Sequence, residues 1–171
     1  MQDSPELQRI TTQYVATEDR IRLSGETADG QTVVLWLTQR FLNLLAPRLT
    51  DWLEQNGAAT PDNGLLQEFA QQAAEGSLGA EPAVDAASPI ASWRVVTIDV
   101  STGTDGVTLT LKSDDDASET ARLPLPTHAL RQWLAIVRNQ FIMAGWPTSA
   151  WPAWMEEARV APTKPATFAL H

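Results

Sequence analysis

Residues 20–52, RIRLSGETADGQTVVLWLTQRFLNLLAPRLTDW, constrain this chain more than any other stretch. Residues 20–26 alternate. Ile21 and Leu23 fall on one side, with Arg20, Arg22 and Ser24 on the other, which predicts a strand. Ala28-Asp29-Gly30 follows, and Asp-Gly tolerates the positive φ of a tight hairpin turn. Residues 31–37 form the return strand. Val33, Leu35 and Leu37 share the side of Ile21 and Leu23, but Val34 and Trp36 make the second side apolar too. A strand apolar on both sides is central in its sheet or carries a cover over its second face. Thr38 is then placed to cap a helix. Phe41, Leu42, Leu45, Leu49, Trp52 and Leu53 recur at helical spacing and give that helix one broad apolar stripe. Pro47 removes one backbone donor and predicts a kink near Asn43. Asn56-Gly57 ends the helix.

Around this unit, residues 7–15 (LQRITTQYV) predict a preceding strand, and residues 16–19 a turn. Residues 64–75 predict a shorter helix, with Leu65, Leu66, Phe69 and Ala73 as its apolar face. Residues 73–91 are rich in Ala, Gly, Pro and Ser and read as a surface linker. Beyond it, 92–101 predicts a strand and 102–106 a turn. Residues 107–112 and 118–125 predict a strand pair about the acidic turn 113–117. Residues 127–145 predict a helix with the stripe Leu130, Trp133, Leu134, Val137, Phe141 and Ile142. Residues 149–160 allow one more helix, and 162–171 look extended.

The second half therefore repeats the plan of the first. An offset of 88 residues matches Ile10 with Ile98, Ile21 with Leu109, Leu23 with Leu111, Leu35 with Leu123 and Leu37 with Leu125. An offset of 89 carries Thr38 to Thr127 and Leu45 to Leu134. The expected fold is α+β: duplicated βββα units, an antiparallel sheet with amphipathic helices on one face. The expected divisions are 1–72 (first half with an extra helix), 73–91 (linker) and 92–171 (second half with a Trp-rich tail). The element order resembles that of the Whirly and PUR single-strand nucleic-acid-binding proteins, whose repeats are four strands and a helix. The resemblance covers element order, with three strands per half here.

Motifs of known chemistry are missing. The chain has no cysteine, which excludes disulfides, thiolate metal sites and cysteine nucleophiles. It has no G-x-S-x-G, no G-x-G-x-x-G and no P-loop. Asp114, Asp115 and Asp116 could offer oxygen ligands to a cation, but three adjacent carboxylates rarely converge, and a solvated turn is the simpler reading. His128 lies in the first turn of a helix with no second histidine nearby. Glu156-Glu157 reads as a solvated helix face. No catalytic residue, metal or cofactor is expected, and the chain is read as a non-enzymatic interaction or structural protein. The N-terminus, MQDSPELQR, is polar, and no apolar run approaches the roughly 18 residues that span a bilayer. The expectation is a cytoplasmic protein without a membrane partner.

Seven tryptophans need accounting for. Trp52 and Trp133 fall on or beside helix stripes. Trp146, Trp151 and Trp154 are expected to clamp the tail onto the domain by aromatic burial, the alternative being a sugar- or partner-binding cluster. Trp36 and Trp93 are expected on the second sheet face with Arg20, Arg22, Lys112 and Arg122. Tryptophan and arginine are typical interface anchors, so this face is the expected binding face, for a second copy or another protein. One alternative is single-stranded nucleic acid, stacked on Trp and paired with Arg; another is an ordinary exposed sheet face with scattered arginines. A net charge of −9 opposes the nucleic-acid alternative.

Overall fold

The computed structural model describes residues 4–56, 63–114, 119–156 and 166–169. The elements run β1 (Leu7–Val15), β2 (Arg20–Thr27), β3 (Thr32–Leu37), α1 (Gln39–Gln55), α2 (Asn63–Gly76), β4 (Ala91–Arg94), β5 (Thr97–Thr102), β6 (Gly106–Lys112), β7 (Thr120–Pro126), α3 (Thr127–Ala144), α4 (Ala153–Glu156) and β8 (Ala166–Ala169). The fold is α+β. One sheet has the order β4-β3-β2-β1-β8 and the other β5-β6-β7.

The opening stretch folds as its pattern dictates. Gly30 takes φ +76° in the β2–β3 turn, and β2 pairs β3 with Ile21 opposite Leu37 and Leu23 opposite Leu35. These four side chains are buried. Phe41 N–H donates to Thr38 Oγ1 at 3.1 Å, the expected cap. Helix α1 runs continuously through Pro47 and buries Leu42, Leu45, Leu49 and Leu53.

The second half departs from expectation where the chain changes sheets. Residues 92–101 are not one strand. β4 lies parallel to β3 in the first sheet, and β5 lies antiparallel to β6 in the second. Val95 N–H donates to Trp36 O at 3.0 Å and Val96 N–H to Lys112 O at 2.9 Å, so two consecutive residues tie the two sheets together. The first sheet is therefore mixed, not purely antiparallel. A second tie joins the N-terminus to the far edge of the second sheet, where Arg122 N–H donates to Pro5 O at 2.8 Å.

Nor does each helix lie on its own sheet. Helix α3 packs against β1 of one sheet and β6 and β7 of the other. It is buried nearly all round from Leu130 to Phe141, Arg138 being half-buried. Trp133 Nε1 donates to Thr12 Oγ1 at 3.1 Å, and Tyr14 N–H to Gln140 Oε1 at 2.9 Å, which fixes the helix to β1. The tail closes the far end of the core. Trp146 and Trp151 stack edge-on to Phe141 with ring centroids 5.1 and 5.5 Å apart, and Trp154 is buried beside them in the same cluster. Trp146 Nε1 and Tyr14 Oη both donate to Asp19 Oδ1. That hydrogen bond is the main reason the Tyr14 hydroxyl titrates above its ordinary value.

Both halves run three antiparallel strands into a helix, but a single offset does not superpose their ladders. At an offset of 88, Ile21 becomes Leu109 and Leu37 becomes Leu125. Yet Ile21 pairs with Leu37, whereas Leu109 pairs with Leu123. The pairing differs by two residues, which preserves the buried face because side chains alternate with period two.

Helix α2 reverses its expected orientation. Leu65, Leu66 and Phe69 are exposed, at 50%, 46% and 57%. Its buried residues are Gln67, Gln71 and Ala74. The glutamines hold neighbouring backbone: Gln67 Nε2 donates to Leu53 O at 3.0 Å and Gln71 Nε2 to Arg131 O at 2.8 Å. From its end, residues 77–90 return to β4 as a strap. Val84 is buried and its N–H donates to Thr11 Oγ1 at 2.9 Å. Arg9 Nη1 donates to Pro82 O at 2.6 Å. No helix among the described residues is long and apolar enough to cross a membrane.

Candidate functional site

The first sheet has a core face and an outer face, and its registers assign every residue to one or the other. Ile10, Thr12, Tyr14, Ile21, Leu23, Leu35 and Leu37 take the core face. On the outer face, three cross-strand rows follow from the pairing: Arg9–Glu26–Thr32, Thr11–Ser24–Val34–Ser92, and Gln13–Arg22–Trp36–Arg94. The strap covers the first two. Arg9 is ion-paired with Glu26 at 3.0 Å, and Thr11, Ser24 and Val34 are buried. This answers why β3 is apolar on both sides: Val34 lies under a cover.

The third row lies beyond the strap. Trp36 is half-exposed between two arginines on neighbouring strands, Arg22 and Arg94. Its indole N–H donates to Ser92 Oγ at 3.2 Å, which fixes the ring. Arg22 Nη2 donates to Gln13 Oε1 at 3.1 Å, and its Nε is buried without an acceptor. Arg20 lies next along β2 on the same face.

Arg94 also lines an open groove of about 490 Å³ between the start of α1 and the β4–β5 crossing, with Thr38, Arg40, Phe41, Leu44 and Val96. The groove continues as a second hollow of about 270 Å³, along Phe41, Leu44, Arg48, Val96 and Ile98. Leu44 is 66% exposed and Val96 46%, so the floor is apolar and open to water. Arg20, Arg22, Arg40, Arg48 and Arg94 form no ion pair among the described residues. Half of the chain's ten arginines thus lie along the outer sheet face and the groove, without an ion pair among the described residues, in an acidic protein.

Of the six residues expected to share a binding face, Arg20, Arg22 and Trp36 lie together. Trp93 is on the opposite face, because β4 pairs in parallel with Leu35 beside Trp93, and it packs against the core. Lys112 and Arg122 belong to the other sheet and are neutralised, Lys112 by Asp99 and Arg122 by Glu6. The structure adds Arg94, Arg40 and Arg48 to this surface. The signal for Arg94 lay in Ser92-Trp93-Arg94-Val95, where the apolar alternation already puts Trp93 and Val95 inward and Arg94 outward.

Elsewhere the geometry offers less. His128 Nε2 lies 2.7 Å from Ser77 Oγ, but among the described residues no carboxylate engages its other ring nitrogen, so the pair lacks the third group that orients a catalytic base. No group of three or more His, Cys, Asp or Glu among the described residues could hold a metal. Asp115 and Asp116 lie outside the described residues, as does Glu157. Arg131 is buried under Trp154, its guanidinium 5.7 Å from the ring centre, and burial lowers its pKa. Its Nη2 donates to Gln67 Oε1 at 2.5 Å. No family model, no curated protein and no solved structure matches this chain.

Proposed function

We propose that this is a non-enzymatic interaction protein whose binding face is the Arg22–Trp36–Arg94 row and the adjoining α1–β4 groove, and whose partner is another protein presenting carboxylates. One observation carries the reading. Five arginines without ion pairs among the described residues border a half-buried indole and an open apolar groove, in a chain of net charge −9. Such a surface attracts opposite charge and offers aromatic and guanidinium anchors. Self-association through the same face about a twofold axis would bring like charges together, which costs several kcal/mol. The nucleic-acid alternative has the arginines in its favour and the groove against it. Leu44 and Val96 are aliphatic side chains, whereas bases stack on flat rings. We further propose that the recurring βββα order reflects a duplication with a two-residue slip in pairing. An experimental structure whose halves superpose with β2 on β6 at an offset of 88 and β3 on β7 at 86 supports it; any other pairing of the halves removes it.

The test is fluorescence anisotropy with two labelled probes: a peptide of about ten residues alternating glutamate with valine or leucine, and a mixed single-stranded DNA. The expected result is peptide binding that weakens in salt and in the double variant Trp36→Ala/Arg94→Ala, with no DNA binding. Peptide binding unchanged in that variant refutes the face. DNA binding reversed by salt replaces the reading with the nucleic-acid one.

A further inference from the structure

Strand β5 is an edge of the second sheet, and it borders the groove. Gly103 N–H donates to Gly106 O at 2.9 Å, and the β5–β6 register continues without a break from Thr102–Val107 to Thr97–Lys112. Antiparallel pairing alternates, so Thr97, Asp99 and Ser101 turn their backbone groups toward β6 while Ile98, Val100 and Thr102 turn theirs away. The outward groups of these three residues have no hydrogen-bond partner among the described residues. The contrast with the opposite edge is direct. Strand β7 contains Pro124 and Pro126, and its edge is tied to Pro5 through Arg122. Strand β5 has no proline, no bulge within its ladder and, among the described residues, no covering strand. Natural sheets rarely leave such an edge unguarded unless something pairs with it. Beside it, Ile98 and Val96 form one wall of the groove, and Phe41, Leu44 and Arg48 of α1 the other.

We propose that the acidic partner binds as an extended strand added to the β5 edge. Its alternate side chains enter the groove between β5 and α1, and its carboxylates meet Arg40, Arg48 and Arg94. This rests on the binding face proposed above and specifies how that face is used. Main-chain bonds to Ile98, Val100 and Thr102 supply affinity, and the apolar floor and arginine rim supply selectivity, which is the division of labour in strand addition. A second copy fits less well, because pairing two β5 edges would set the two arginine rims side by side.

The probe is the labelled glutamate–valine/leucine peptide and the same sequence methylated on every backbone nitrogen, titrated by anisotropy. The protein is wild type, Val100→Pro or Arg40→Glu/Arg48→Glu. Proline at 100 removes an outward N–H, a position at which edge strands tolerate it. The expected result is binding to wild type, weakened about tenfold or more by Val100→Pro, by methylation and by the arginine reversals. Binding that responds to the arginine reversals but not to Val100→Pro or methylation overturns strand addition and leaves the arginine face standing. No binding to wild type at low salt overturns both. If light scattering finds a dimer of the protein alone that Val100→Pro dissociates, a second copy holds the edge and the acidic-partner proposal falls. If Val100→Pro does not fold, the methylated peptide decides.

Discussion

Replacing Thr12 by valine tests the contact that seats α3 between the sheets. Thr12 is fully buried and Trp133 is 1% exposed, and the indole N–H donates to Thr12 Oγ1 at 3.1 Å. Valine keeps the shape and the strand preference of threonine and removes only the acceptor. The indole N–H is then buried without a partner, which costs about 1–3 kcal/mol. Exchanging a buried hydroxyl for a methyl returns something under about 1 kcal/mol. The net loss is about 1–2 kcal/mol, or roughly 2–8 °C in Tm for a chain of this size. Urea denaturation followed by far-ultraviolet circular dichroism measures it. The partner variant sharpens the test. In a Trp133→Phe background no donor is left to strand, so Thr12→Val becomes neutral or stabilising, and the double-mutant cycle shows coupling of about 1 kcal/mol or more. Unchanged or increased stability of Thr12→Val in the wild-type background refutes the reasoning.

Three further outcomes follow from the same packing. Burial raises the Glu75 pKa, only partly offset by a Gln71 hydrogen bond and by Arg138. The folded state therefore holds that proton more tightly than the unfolded chain, and the resulting stabilisation, complete below the unfolded value, is lost as pH rises through the folded one. Glu75→Gln should accordingly be more stable than wild type at neutral pH and converge with it in acid, as read by urea midpoints across pH; a constant difference would sink the idea. A Cβ at Gly106 would lie 2.5 Å from Leu125 O and 2.7 Å from Pro126 Cα, both backbone. Gly106→Ala should lose roughly 1–3 kcal/mol or more in a thermal melt, whereas Gly76→Ala, with open space around it, should lose nothing. Helix α2 is held by amide hydrogen bonds each worth about 1 kcal/mol net and turns its large apolar side chains to water. Its amides should exchange with solvent at lower opening free energy than those of α3, and equal protection of the two helices would contradict this.

The elements that packing alone decides were legible. The strand at Leu7–Val15, the Gly30 turn, the Thr38 cap and the buried leucines of α1 follow from period and capping chemistry, whereas α3 is buried nearly all round and leaves Ile142 of its expected stripe 49% exposed. Trp146, Trp151 and Trp154 are buried as the tail-clamp reading expects, rather than displayed as a sugar- or partner-binding cluster. Pairing across long sequence separations was not legible. Nothing local in residues 91–102 says that the strand splits and that its first part lies parallel to β3. That single choice moved Trp93 inward and brought Arg94 beside Trp36. Three of the six residues expected on the binding face lie together. The other three were misplaced by assuming that one sheet parity runs through both halves.

Helix α2 shows why pattern fails where hydrogen bonding decides. Read by periodicity, Leu65, Leu66 and Phe69 belong inside. The face of α2 that turns inward is set by more than apolar contact, although the helix also packs on α4. Two backbone carbonyls receive its glutamines: Leu53 O in the last turn of α1, which has no intrahelical donor, and Arg131 O within α3. In return, Gln132 Nε2 of α3 donates to Ala74 O at 3.0 Å. The glutamine face takes the interior through these hydrogen bonds, and Leu65, Leu66 and Phe69 are left largely in water. Backbone hydrogen bonding is also at issue at the β5 edge. There the outward backbone groups have no protein partner among the described residues, and the proposed partner strand would exchange their bonds to water for main-chain bonds.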